Sequence, residues 1–348
     1  MTGITAEGAR QSARTWVRET ASAIPGYRAA FIAGSVASLP GDAPVPPWSD
    51  TDVMVVLDGE APIKAGKFLR DGVLLEGSYL SRQSLDDPEA ILGAYHLAHA
   101  VSAGLIVNDP SGWLAEVQAV VCREFPRRSR VEQRCAVARA TVEAGLQYLT
   151  DIGSLAERAQ AWVFPAGIMT HVLLVAGLRN PTVRRRYETV GDLLAEHDRL
   201  PLFERLLDVL GCRDMGRAQV ERHLDAITAL FDAAAPVAAP SYRFASDVTA
   251  ISRPISVDGS WDMIQRGYHR EAVFWLVVTA SRSLQKLAHG VGAEAAKAPE
   301  PALRELLADL GIVTHDDVLA RRDQALDLLP EVWRTAEEVM ASSPRIVP

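Results

Sequence analysis

At 348 residues, 48 % hydrophobic and 6 % aromatic, the chain has apolar material for about two ordinary domains, filled mainly by Ala, Val and Leu. Its formal charge of −8 argues against the broad positive surface that gripping a nucleic-acid backbone requires. Cys122, Cys135 and Cys212 match no zinc or redox spacing, and neither a signal-peptide core nor an apolar run approaching about 18 residues is read from the sequence. A cytoplasmic protein with reduced, buried thiols and no membrane span is expected.

Residues 5–22 read as a helix, with Thr5 as cap and Ala9, Ala13, Trp16, Val17 and Thr20 on one stripe. Pro25-Gly26 ends it. Ala29-Ala30-Phe31-Ile32-Ala33 then reads as a buried strand that stops at Gly34-Ser35. This pair offers close backbone approach and free amides at a helix start, which suits a phosphate. Residues 40–48 form a Pro-rich loop, and its Trp48 is either a lid over a base or a packing residue.

Ser49-Asp50-Thr51-Asp52 opens a second strand, Val53-Met54-Val55-Val56-Leu57. Side chains alternate along a strand, so Asp50 and Asp52 share a face roughly 7 Å apart. Such a pair either caps a strand beside a turn or holds a hard cation such as Mg2+, which takes one or two carboxylates and completes its shell with water and phosphate oxygens. Residues 58–71 read as a polar connection whose Lys64, Lys67 and Arg70 either reach phosphates or form a solvated face. A third strand over 72–80 carries Glu76, a third carboxylate if this strand lies beside the Asp strand. Gly77 would let a ligand come close.

Residues 85–100 read as one helix with Pro88 in its first turn. No ligand pattern completes a metal site around its His96 and His99. A short strand over 101–110 and a helix over 111–124 follow. Phe125-Pro126-Arg127-Arg128 marks a domain boundary, giving domains 1–125 and 126–348. Beyond it helices are expected over 129–151, 155–178, 188–197, 200–211, 216–234, 258–289, 300–310, 314–326 and 328–341. Arg184-Arg185-Arg186 reads as surface charge. The stretch from Trp261 to Glu271 is polar-dense, and its Arg266, Tyr268, His269, Arg270 and Glu271 either face substrate or pair among themselves.

Gly34-Ser35, a loop, Asp50-x-Asp52 on a strand and Glu76 on the next strand together resemble the DNA-polymerase-β-type nucleotidyltransferase superfamily. The small bacterial antibiotic nucleotidyltransferases, such as the kanamycin and lincosamide enzymes, look most similar. The resemblance extends to Asn108-Asp109-Pro110-Ser111-Gly112 after a strand. It implies an α+β fold: a nucleotidyltransferase-fold domain with a mixed sheet and flanking helices, then an all-helical domain, with the active cleft between them. It also implies transfer of a nucleoside monophosphate, AMP by analogy, from an NTP to a hydroxyl of a small molecule such as an antibiotic or a biosynthetic intermediate. Mg2+ would be held by Asp50, Asp52 and Glu76. Gly34, Ser35, Ser49, Lys64 and Lys67 would hold the nucleotide, ATP by analogy. The base of the kanamycin enzyme is similar in context to Val142-Glu143-Ala144-Gly145-Leu146-Gln147-Tyr148. The second Glu of that context is Gln147 here, so Glu143 is either the base or an exposed helix charge.

Two departures stand out. No Arg follows Gly34-Ser35, and fourteen residues separate Ser35 from Asp50, slightly more than is usual. The missing Arg, with Gln147, motivates the first of two alternatives. This is a nucleotide- or small-molecule-binding protein of this fold without turnover. The other is a toxin-like enzyme acting on a macromolecule. The expected partners are a nucleotide, a small-molecule acceptor and, as in some similar enzymes, a second copy of the chain.

Overall fold

The computed structural model describes residues 3–59 and 65–348. The chain divides into two compact units, Met1–Arg134 with Arg345–Pro348, and Cys135–Pro344. The dividing line falls nine residues beyond the boundary read from the sequence. The arrangement is α+β, with a mixed sheet and flanking helices in the first unit and helices alone in the second.

In the first unit, strands β1 (Tyr27–Ala33), β2 (Thr51–Leu57), β3 (Gly66–Arg70), β4 (Val73–Ser81) and β5 (Leu105–Asn108) lie in the order β3-β4-β2-β1-β5. β2 and β4 run parallel, and the other neighbours run antiparallel. The middle strands are covered on both faces, which is why β1 and the second half of β2 read as unbroken apolar runs. Helix α1 (Ala6–Glu19) supplies one cover. Its Ala9, Ala13, Trp16 and Val17 cluster with Ala30, Ile32, Val53, Val55 and Leu75. The other cover comes from α3 (Pro88–Gly93), α4 (Tyr95–Ser102) and α5 (Trp113–Glu124), clustered with Ala29, Phe31, Ala33 and Val56. Between β1 and β2 a four-residue helix, α2 (Ser35–Ser38), leads into the Pro-rich loop. That loop is tied to the start of α1: Ala6 N donates to Ala43 O and Glu7 N to Gly41 O, at 2.9 and 2.8 Å. These bonds satisfy amides that no helical carbonyl can reach.

Several local expectations change. The stretch over 85–100 is two helices, because Ala94 takes an extended conformation between α3 and α4. The strand after it shortens to four residues, since α4 continues to Ser102. Thr20 is exposed and caps α1 instead of joining its buried stripe. Cys122 is exposed, whereas Cys135 and Cys212 are buried. The largest change is β3, which occupies part of the expected polar connection. It pairs with β4 across Asp71-Gly72, whose φ values of 50° and 78° are those of a tight two-residue hairpin turn.

In the second unit, α7 (Leu155–Ala176) and α12 (His269–Val291) are buried over most of their lengths. Around them lie α8 (Arg186–Glu196), α9 (Leu200–Leu210), α10 (Arg217–Ala234), α11 (Gly259–Gln265), α13 (Ala293–Lys297), α14 (Pro301–Asp309) and α15 (His315–Ser342). The preceding helix, α6 (Arg128–Gln147), carries Gly145. A Cβ there would meet Pro165 Cγ of α7 at 2.6 Å, so a side chain would push these two helices apart. The helix expected over 258–289 is two, α11 and α12, parted at Gly267 with φ 95°. The two helices expected over 314–326 and 328–341 are one, because α15 runs through Pro330. By length and composition alone α7 is long and apolar enough to cross a membrane, but 72 % of its most apolar window is buried inside the protein, as in a core helix.

Candidate metal centre

Strand pairing gathers the acids. Asp50 immediately precedes β2, and Asp52 of β2 lies in parallel register with Glu76 of β4. Residues paired in register point to the same side, and alternation places Asp50 on that side too. Lys67 of β3 is in turn the antiparallel partner of Glu76. Carboxylate oxygens of Asp50, Asp52 and Glu76 all lie within 4.8 Å of one another. Oxygens sharing one octahedral Mg2+ at about 2.1 Å are about 3–4 Å apart, so small side-chain movements would bring this all-oxygen set onto one hard divalent cation. The fit is good in chemistry as well as spacing, because three neighbouring carboxylates repel one another without positive charge between them.

Part of that charge comes from Lys67. Its Nζ donates to Asp50 Oδ2 and to Glu76 Oε2, and its side chain is only 7 % exposed. The sequence reading gives Lys67 the option of a phosphate, but here it engages two carboxylates. Burial disfavours the ammonium form, and the two neighbouring carboxylates outweigh burial, so the Lys67 pKa is raised. Asp50 moves the other way from a typical paired acid. Burial pushes its carboxyl up, Lys67 pulls it down, and Glu76 adds to the rise.

Gly34 fits against the cluster. Its φ is 70°, and a Cβ built there would lie 2.6 Å from Asp52 Oδ2. Both conformation and space therefore call for glycine. Ser35 follows as the exposed first residue of α2. Ser49 is half-buried next to Asp50. Lys64 lies outside the described residues. Gly77 does not open a path to a ligand: it faces the other side of the sheet, where a Cβ would meet Ala65 Cβ at 2.9 Å and the Trp16 ring at 3.0 Å. A groove of about 310 Å3 runs along α1, lined by residues such as Thr5, Gln11 and Asp71, and includes none of the three acids.

The sequence reading missed Arg10. From α1 its Nε donates to Val36 O at 2.9 Å, and its Nη2 donates to Ala37 O at 3.3 Å and to Leu39 O. It thus satisfies the carbonyl end of α2 and pins the turn that carries Gly34. Arg10→Ala is expected to lower stability by about 2 kcal/mol, read from denaturant midpoints, because charged donors to otherwise unpaired carbonyls are lost.

Residues of the helical unit named from sequence are mostly paired within that unit. Glu143 accepts from Arg139 Nε at 2.9 Å. Arg266 donates to Glu188 at 2.7 Å and to Asp262 at 2.8 Å, and Arg270 to Glu204 at 2.9 Å. Arg186, expected as surface charge, is 2 % exposed with its guanidinium 4.0 Å from the Phe274 ring centroid. Glu188 is buried, which by itself raises its pKa, but Arg185 and Arg266 bring it down to about 2.

Glu271 is the exception. It is buried, its Oε2 has no hydrogen-bond partner among the described residues, and burial raises its pKa. A carboxyl whose folded pKa is raised is costly when ionised, so its contribution is least unfavourable below the unfolded value of 4.5 and worsens as pH rises through the folded pKa. Glu271→Gln is accordingly expected to stabilise the protein by about 1 kcal/mol at pH 7 and to show no gain at pH 4, measured by denaturation at both pH values.

Comparison with family models gives no match, and comparison with curated proteins gives none either. Among solved structures, the chain is similar to a nucleotidyltransferase-like protein from Exiguobacterium sibiricum 255-15, with 12 % identity and a TM-score of 0.32, over 86 % of this chain and 91 % of that one. A likeness at that TM-score says nothing of activity, and the functional reading rests on the carboxylate cluster.

Proposed function

We propose that this chain is a metal-dependent nucleotidyltransferase that moves a nucleoside monophosphate from an NTP to a hydroxyl of a small molecule. The observation that carries this reading is the meeting of Asp50, Asp52 and Glu76 within 4.8 Å, the last two on adjacent parallel strands and Asp50 just before the first of these. Gly34, at the end of β1, lies against the same cluster.

Asp50 and Asp52 would hold a divalent ion, with Glu76 as third ligand or as orienter of the acceptor. When bound, such an ion supplies charge neutralisation on the triphosphate and alignment of the reacting oxygens. Gly34 lets phosphate oxygens approach the backbone, and the first amides of α2 donate to them. The acceptor hydroxyl gives up its proton to a neighbouring carboxylate or to water as its oxygen forms a bond to the α-phosphorus, the bond from that phosphorus to the bridging oxygen breaks, and pyrophosphate leaves with that oxygen. ATP as donor and a hydroxylated antibiotic as acceptor follow from the enzymes that the motif resembles.

The test is pyrophosphate release from each NTP with Mg2+, across a panel of aminoglycosides, lincosamides and related hydroxylated compounds. Release that requires one acceptor and disappears in Asp50→Asn supports the reading. An absence of both Mg2+-dependent NTP binding and release overturns it.

A second reading, nucleotide binding without turnover, is favoured by Glu143. Its carboxylate accepts from Arg139 one turn earlier on a half-exposed helix face, and Gln147, the other position of that context, has no carboxylate to take a proton. Mg2+-dependent NTP binding without pyrophosphate release for any acceptor is its expected signature.

A further inference from the structure

The two hydrogen bonds of Lys67 bear on how the metal reaches the site. The lysine is fixed from three directions: β3 pairs with β4, Lys67 stands opposite Glu76, and the ammonium sits between Asp50 and Glu76. Its side chain is nearly out of solvent. An ammonium so placed already uses one oxygen of each of two carboxylates that a divalent cation would need.

We propose that Lys67 is a resident counter-cation that competes with the free metal ion, so that the site accepts a divalent cation as its triphosphate complex and not alone. This rests on the reading of the cluster as a metal centre. A bare divalent ion entering the cluster meets a fixed positive charge at contact distance and gains only carboxylates already partly neutralised. A metal–nucleotide complex brings phosphate oxygens with it, and these give the displaced ammonium new acceptors. Between turnovers Lys67 also keeps Asp50 and Glu76 from repelling each other. A lysine that merely braced the β3–β4 hairpin would leave metal affinity unchanged when replaced.

The test follows the free Mn2+ signal by electron paramagnetic resonance during titration of the full chain. Wild type, Lys67→Met, Lys67→Arg and Asp52→Asn are titrated with Mn2+ alone and with Mn2+ plus each NTP. Lys67→Met is expected to bind Mn2+ alone at least tenfold more tightly than wild type, and Lys67→Arg, which keeps the charge, to resemble wild type. Mn2+ alone should also raise the melting temperature of Lys67→Met by more than that of wild type. If Lys67→Met does not fold, wild type decides. Weak uptake of Mn2+ alone and strong uptake with one NTP supports the proposal, and equal affinity in both conditions overturns it. Equal Mn2+ affinity in Lys67→Met and wild type, lost in Asp52→Asn, overturns the role of Lys67 while leaving the metal centre standing. No Mn2+ uptake by any variant, with or without NTP, overturns the metal centre and the proposal together.

Discussion

Asp52→Asn and Asp50→Asn are each expected to lower nucleotidyl transfer by about 10⁴-fold. The change is nearly isosteric, so packing is kept and the loss is electrostatic. Asn offers a neutral oxygen where a carboxylate would share charge with the metal, and a ligand's contribution to transition-state charge stabilisation is several kcal/mol, with each 1.36 kcal/mol worth tenfold in rate. In the metal-free protein Asp50→Asn also removes one of the two carboxylate partners of the buried Lys67, leaving Glu76. It is therefore expected to shift the melting temperature. Pyrophosphate release read beside thermal melting checks both points. Turnover within tenfold of wild type in either variant would count against the metal centre.

How much of this centre can be read from residues alone varies with how local the cause is. The shared side of Asp50 and Asp52 follows from the two-residue period of a strand and needs no partner. Placing Glu76 beside them needs the parallel pairing of β2 with β4, a contact across some two dozen residues that no local pattern fixes. β3 hides because Gly66-Lys67-Phe68-Leu69-Arg70 carries two charges among five residues. Its signal was the Asp71-Gly72 pair between two short apolar runs, the usual mark of a two-residue hairpin. Reading it would have put Lys67 opposite Glu76 and suggested an ion pair before a phosphate contact. Arg10 left no such mark: its acceptors are carbonyls of residues 36, 37 and 39, set by tertiary packing of α1 over the sheet.

The helical half follows the same division. Near-continuous apolar composition locates α7 and α12, because both are buried on almost every face. Where helices stop is less local. Gly267 ends α11, yet Pro330 does not end α15, because a missing amide and a ring clash are tolerated when packing on both sides of the break holds the helix together. The burial of Glu271 and Arg186 also escapes the sequence, since a charged residue at a helix start ordinarily faces solvent.

Gly34→Val is expected to lower transfer by about 10²-fold and to cost about 1–3 kcal/mol of stability. Two separate causes act at this position. The backbone takes φ 70°, a region that a β-branched residue occupies only under strain of about that size. The added Cβ would also stand 2.6 Å from Asp52 Oδ2, inside any permitted contact. Either the turn before α2 relaxes to negative φ and carries the first amides of the helix away, or the Asp52 carboxylate turns aside. Both moves misplace groups the reaction needs, and a misplacement of about 1 Å costs on the order of 10²-fold. Gly34→Ala separates the causes. It keeps most of the clash with Asp52 but lacks branching, so it should lose nearly as much activity with less loss of stability. Denaturant midpoints and initial rates on the same two variants make the comparison. If both keep full activity and only stability falls, Gly34 serves the fold alone, and the contact with Asp52 has no part in holding the carboxylate where the metal needs it.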